Sequence, residues 1–315
     1  MNQIKSLSIS GRITLDMHSL NNEGAEGNQT LTRQVTIIDQ NGKPATVTAV
    51  SGDMLKHILC EHFWKIAREE KLPLSDTSQV FNANRIISSD LKNKTKDELR
   101  KQDVATSEVI KTCSLSDIAG AMITDIGNFA RKSVAEFGWL VAIPEANETE
   151  SYFHVKFVPD ASTTKKGEEN VGQNIFHRPA NSGIYAFVGN LEIARLGYND
   201  ISKKYAIGDT ERKDRYEALL KSMIYTFIKP NGAMRNTQNP HIVNFEGIIT
   251  YSTSSCPAPT VSAINDLYKD EIKKTTANLN KIAADSLSTI EFKSLSEFSE
   301  KMGEIIKTTE PGKLN

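Results

Sequence analysis

Residues 4 to 16 set Ile4, Leu7, Ile9, Ile13 and Leu15 in alternation, the period of a strand with one face buried. The run Gln34 to Ile38 and the return at Val47 to Val50 are also β-rich, and Asn41-Gly42 between them reads as a hairpin turn. Ser51 then stands where a helix N-cap belongs, and Met54, Leu55, Ile58, Leu59, His62, Phe63 and Ile66 repeat at helical spacing to about Arg68. Strands are expected over Trp139 to Ile143 and Tyr152 to Val158, joined by the acidic turn Pro144 to Glu150, and over Gly183 to Leu196. A second helix from about Thr210 to Phe227 carries Tyr216, Leu219, Leu220, Met223 and Phe227 in register, with Arg212, Lys213, Arg215 and Lys221 as its basic exposed face. A final strand lies near Ile242 to Tyr251. Excursions aside, the order strand, helix, strands, strand, helix, strand predicts an α+β chain with the split βαβ core of an RRM/ferredoxin-like fold.

Three stretches fall outside that core. Residues 75 to 134 are mostly polar, with helical candidates at 97 to 103 and 115 to 134, the latter placing Leu115, Ile118, Met122, Ile126 and Phe129 on one face. Pro159 to Pro179 has no apolar periodicity but much Thr, Lys, Gly and Asn, which predicts an exposed excursion of hairpin type. The portion 261 to 308 reads as solvated amphipathic helix. No internal repeat is visible.

Composition narrows the function classes. The 315 residues, 38% hydrophobic and 24% charged, are enough for a sizeable core with insertions, and no apolar run approaches the roughly 18 to 20 residues that span a bilayer. Met1-Asn-Gln-Ile-Lys5 leads straight into a strand without a signal-type apolar stretch. Cys60, Cys113 and Cys256 are odd in number and widely spaced, which fits a reducing compartment; a cytoplasmic location with no membrane partner is expected. The net charge of −1 argues against a protein that tracks phosphates, yet the basic clusters Lys92 to Lys96, Lys203-Lys204 and Arg212 to Arg215 are segregated from the acidic ones, leaving room for a one-sided basic groove.

Polar clusters at element ends supply the candidate chemistry. The loop His18 to Asn28 has no apolar residue but Leu20 and Ala25, which predicts that it is not core; His18, Ser19, Asn21, Asn22 and Asn28, with Arg33 following, suit phosphates, sugars or bases. Ser51-Gly52 opens a helix with Lys56 and His57 in its first two turns, an anion site by its free amides and dipole, or equally a plain cap; Asp53 opposes a bare phosphate pocket. Phe176, His177 and Arg178 interleave aromatic and basic groups as stacking on bases and pairing with phosphates requires, although Phe176 alone reads as core. Arg235, Asn236, Gln238 and His241 form the last cluster, which is otherwise a solvated loop. No triad is marked, and His57 and His62 at i, i+5 do not share a helix face as HExxH ligands do, so neither a catalytic set, a metal site nor a cofactor is expected.

The blocks His18 to Asn28, Val50 to His57, Phe176 to Tyr185 and Gly232 to His241, in this order, resemble the DevR branch of the Cas-seven family, the type I-B-like backbone proteins of the CRISPR-associated Cascade complex; the likeness runs from about Ser6 to Asn265. The resemblance implies an RRM-like palm (1–74 and 135–260), a helical finger insertion (75–134), a protruding thumb hairpin (about 159–180) and a C-terminal helical segment (261–315). It also implies a non-catalytic subunit that polymerises along a crRNA guide in a helical filament, beside other Cascade subunits, and presents the guide to a target DNA strand. Related type III proteins cut RNA with a loop acid, so Glu23, Glu26 and Asp16 keep a metal-dependent endoribonuclease open, and a stand-alone single-strand-binding module is the third reading.

Overall fold

The computed structural model describes residues 2–157 and 173–314. After the short β1 (Asn2–Ile4), β2 (Ser6–His18) is followed by the hairpin β3 (Asn22–Glu26) and β4 (Gln29–Thr32), the hairpin β5 (Gln34–Ile38) and β6 (Pro44–Val50), and α1 (Gly52–Glu69). The polar stretch holds α2 (Asp76–Gln79), α3 (Lys96–Leu99), α4 (Gln102–Thr112) and α5 (Ser114–Ala119), then a small hairpin of β7 (Ala121–Ile123) and β8 (Phe129–Arg131). Next come β9 (Ala135–Phe137), β10 (Leu140–Phe157), β11 (Gln173–Leu191), β12 (Tyr198–Asn199), β13 (Lys204–Tyr205) and α6 (Asp209–Ile228). The chain closes with β14 (His241–Ser252), α7 (Tyr268–Asn280), β15 (Leu287–Phe292), α8 (Leu295–Thr308) and β16 (Thr309–Pro311), which pairs in parallel with β1.

In the main sheet the order is β15-β14-β2-β11-β10-β6-β5, and its four central strands are mutually antiparallel. Ile13 stands between Tyr185 on β11 and Phe245 on β14, so the alternation of β2 points one row of side chains at the helices. Leu55, Leu59, Phe63 and Ile66 of α1, Leu219, Met223 and Phe227 of α6, and Phe298, Met302 and Ile305 of α8 bury that face. Each such side chain contributes about 1.5–3 kcal/mol by leaving water. The opposite face has a smaller cover, in which Tyr268 and Ile272 of α7 pack with Ala263 on Ala186 and Ile248.

Several expectations need correcting. The helix read over 115 to 134 stops at Ala119, because Gly120 turns the chain at φ 77° and a side chain there would meet the Arg131 carbonyl at 2.6 Å; Phe129 then returns on a strand. The acidic turn after Ile143 is a bulge within one long strand: Pro144 offers no N–H to the ladder, and the Asn147 amide donates to the Ile143 and Pro144 carbonyls at 3.1 Å. Arg212 and Arg215 are not an exposed basic face but fully buried, Arg212 donating to the Leu196 and Gly312 carbonyls and Arg215 to Asp117 at 2.9 Å. Nor is the C-terminal portion solvated helix throughout, since β15 extends the sheet and α8 seals the core.

Between Ser151 and Phe157, β10 pairs with β11 beyond the reach of β2 and forms an arm, with β4 pairing against β11 at His177. Of the excursion expected over Pro159 to Pro179, residues 159–172 lie outside the described residues, and 173–179 are strand. No helix among the described residues is long and apolar enough to cross a membrane.

Candidate nucleic-acid interface

The exposed side of α1 carries the site. Its N-cap forms as expected, with the Ser51 hydroxyl accepting from the Met54 amide at 3.2 Å, while the Ser51 amide donates to Asn21 Oδ1 at 2.7 Å. Gly52 is required by crowding, for a Cβ there would stand 2.6 Å from the Phe137 carbonyl oxygen. The start of α1 is thus pressed against the end of β9.

Three adjoining depressions follow the first three turns of α1 and share residues where they meet. One, of about 300 Å³, is lined by Gly52, Asp53, Lys56, Lys132, Phe137 and Trp139 among others. The next, of about 320 Å³, is lined by Asp53, Lys56, His57, Cys60, Phe81 and Arg85. The third, of about 420 Å³, is strongly polar and is closed by His57, Glu61, Arg178 and the turn Asn231 to Thr237, including Arg235 and Asn236. Together they make one furrow along the helix.

Charge in this furrow is unbalanced. Lys132 is paired with Glu136 at 2.7 Å and Arg33 with Glu23 at 3.4 Å. Among the described residues, Lys56, Arg85, Arg178 and Arg235 have no such acid; Arg85 donates to the Gly120 carbonyl, Arg178 to the Thr237 hydroxyl at 3.2 Å, and Arg235 to Asn231. Partial burial, then the neighbouring Arg85 charge, lower the Lys56 pKa from its ordinary value, with Cys60 and Asp53 opposing. A bound anion would supply the missing counter-charge. The local excess coexists with a net charge of −1 because acids elsewhere on the surface offset it in the sum, Glu70 beside Lys221 among them.

Of the residues expected from sequence, Gly52, Lys56, His57, Arg178, Arg235 and Asn236 meet in the furrow, with Ser51 at its head. Arg33 lies beside it, its guanidinium 5.6 Å from the Trp139 ring centre. Phe176 and His177 lie on the arm: Phe176 stacks on His154 under the Arg178 guanidinium, and His177 faces the other way, edge-on to Phe153. Asn28 is exposed on the β3–β4 turn with its carbonyl accepting from the His177 amide at 2.8 Å, and His241 is exposed at the start of β14.

The loop His18 to Asn28 is the main departure. His18, Ser19, Leu20 and Asn21 are buried, the half-buried Asn22 accepts from the Ser19 hydroxyl, and β3 and β4 form a hairpin instead of an open loop. His18 shares a hydrogen bond with the Tyr185 hydroxyl at 2.9 Å, so its ring is not presented to a ligand. These residues brace a wall of the furrow from behind: the carbonyls of Ser19 and Leu20 accept from the Met234 and Ala233 amides and hold up the Asn231 to Thr237 turn. Gln238 is likewise buried and donates to the Pro179 carbonyl at 2.6 Å, tying that turn to the arm. Arg85 and Trp139 carry no local sequence signal; tertiary packing alone brings them to the site.

Burial also makes His18 a pH-sensitive element. Its pKa is lowered from 6.5 to about 4 by desolvation, so between those values the unfolded chain binds a proton that the folded chain refuses. Stability from the neutral imidazole is complete above pH 6.5 and is lost as pH falls toward 4, by about 3 kcal/mol in all. His18→Gln is expected to flatten this dependence in urea unfolding between pH 7 and 4. Parallel curves for the two proteins would show that His18 titrates without constraint.

The scaffold is a mixed sheet covered by helices, and the furrow along α1 gathers four cations that make no ion pair among the described residues. The chain belongs to the family described as CRISPR-associated negative auto-regulator DevR/Csa2, whose model matches residues 9–273. It is 28% identical over 290 residues to a CRISPR-associated protein Cas7/Cst2/DevR of Methanocaldococcus jannaschii, covering 88% of this chain and 90% of that protein. To a CRISPR-associated protein Cas7/Csa2 1 of Saccharolobus solfataricus it is 23% identical over 291 residues, covering 88% of each. A solved chain in a structure described as a CRISPR RNA-guided surveillance complex, pre-nicking, has the same overall fold, with TM-score 0.51 at 10% identity over 95% of this chain and 99% of that one.

Proposed function

We propose that this protein is a non-catalytic crRNA-binding backbone subunit of a type I Cascade complex. The observation that carries the reading is the furrow along α1, where Lys56, Arg85, Arg178 and Arg235 converge without acidic partners among the described residues, in a chain of this family. Phosphates of a single strand run along it, and sequence discrimination is left to pairing between guide and target DNA strand. In this reading the strands ordered β14-β2-β11-β10 with α1 and α6 are an RRM-like palm, residues 75–134 the finger, and the arm of β10 and β11 the base of the thumb. Copies stack as a filament with other Cascade subunits in the cytoplasm, the acidic faces of one meeting basic faces of the next.

Purification from the host followed by sequencing of co-purified RNA tests the partner directly: a repeat-derived guide supports the reading, and its absence counts against it. With isolated components, Lys56→Ala and Arg235→Ala are expected to weaken binding equally for unrelated guide sequences and each to lessen the salt dependence by about one charge. A change of sequence preference would mean that these side chains read bases. Cleavage of bound RNA in Mg²⁺ that disappears in Glu23→Gln or Glu26→Gln would replace this reading with the ribonuclease.

A further inference from the structure

Trp139 is 39% exposed, an uncommon state for a large indole at the start of a central-sheet strand. Its position is rigid. The preceding Gly138 donates to the Val188 carbonyl at 2.9 Å and has no room for a side chain, since a Cβ would lie 2.5 Å from Val188 Cγ2. The following Leu140 pairs with Val50 on β6. Arg33, whose guanidinium lies 5.6 Å from the ring centre, is fixed from the same side of the sheet, its carbonyl accepting from the Ala49 amide on β6 at 3.0 Å. Indole and guanidinium therefore sit on short connections tied down by strand neighbours on both sides, Trp139 between β9 and β10 and Arg33 between β4 and β5.

The indole also lines the 300 Å³ depression beside Gly52 and Lys56. Apolar surface from Trp139 and Phe137 thus stands next to an ammonium that makes no ion pair among the described residues, in a hollow whose other polar lining is Asp53, Ser133 and the mutually paired Lys132 and Glu136. We infer that Trp139 is a base-stacking platform at the head of the furrow, which takes one unpaired nucleobase of any identity while Lys56 holds the adjoining phosphate. The inference rests on the proposed RNA-binding role and names a subsite within it. Stacking on an aromatic ring tolerates every base because each presents a π face, so the subsite adds affinity without sequence preference.

The test compares two probes, a short oligouridylate and an abasic ribose-phosphate strand of equal length. Trp139→Ala is expected to weaken oligouridylate binding about tenfold while leaving the abasic strand and the salt dependence unchanged, and Trp139→Phe to restore most of the loss. In a Trp64→Phe background, which leaves Trp139 as the sole tryptophan, oligouridylate is expected to quench the fluorescence and the abasic strand to leave it unaltered. Equal affinities for wild type and Trp139→Ala, or an equal loss on both probes, overturn the stacking assignment while the RNA-binding role stands. Intact binding of the short strand with failure to assemble on a long one also overturns it, and assigns the indole to contact with a second copy. If the wild type binds neither probe, the RNA-binding role fails and this subsite with it.

Discussion

Asp117→Ala is expected to lower the unfolding free energy by about 3–5 kcal/mol, the largest effect of any single substitution proposed for this chain. Asp117 on α5 is fully buried between Arg131 of β8 and Arg215 of α6, and it also accepts from the Gly197 amide at 3.0 Å. Arg131 donates further to the Tyr198 and Arg195 carbonyls at 2.9 and 3.1 Å, so one carboxylate ties the 75–134 segment to the central helix and to the turn after β11. Its removal leaves two guanidinium groups buried against fewer acids, and neither can shed its proton. Asp117→Asn keeps an acceptor and is expected to cost less than alanine. Urea unfolding measures both; a cost below about 1 kcal/mol for alanine would mean that water reaches the site and that the network does not hold the segment.

Lys56→Glu combined with Arg178→Glu is expected to weaken single-stranded RNA binding roughly 100-fold at moderate salt, because two phosphate contacts are lost and two repulsions replace them. The two residues line successive depressions that share His57, and neither makes an ion pair among the described residues. Thermal unfolding is expected to change little, since both side chains are partly exposed and Arg178 gives up a single bond to Thr237 and its contact over the Phe176 ring. Binding that survives the double reversal would place the RNA elsewhere on the molecule.

Local pattern determined much of this protein without help. The alternation of Leu7, Ile9, Ile13 and Leu15, the Asn41-Gly42 hairpin, the Ser51 cap and the apolar stripe of α6 all describe how a residue sits within its own element, and period and capping chemistry record that directly. The ordered blocks also sufficed to place the chain in its family. The apolar positions 115 to 129 kept helical spacing, yet α5 ends at Gly120 and a hairpin buries Phe129, since spacing records neither a turn nor the partner.

Only the tertiary structure decided which charges are free. Arg212 and Arg215 look no different in sequence from Lys56 and Arg235, yet the first two are sealed against carbonyls and carboxylates from distant segments while the others face an open furrow. His18 to Asn21 read as a polar loop and became the buried support of the Asn231 to Thr237 turn, whereas Arg85 and Trp139, which no site pattern marks, became walls of the furrow. The reason is physical: exposure and charge pairing depend on neighbours from other elements, as Gly312 does for Arg212 and Asp117 for Arg215, and no local period carries that information.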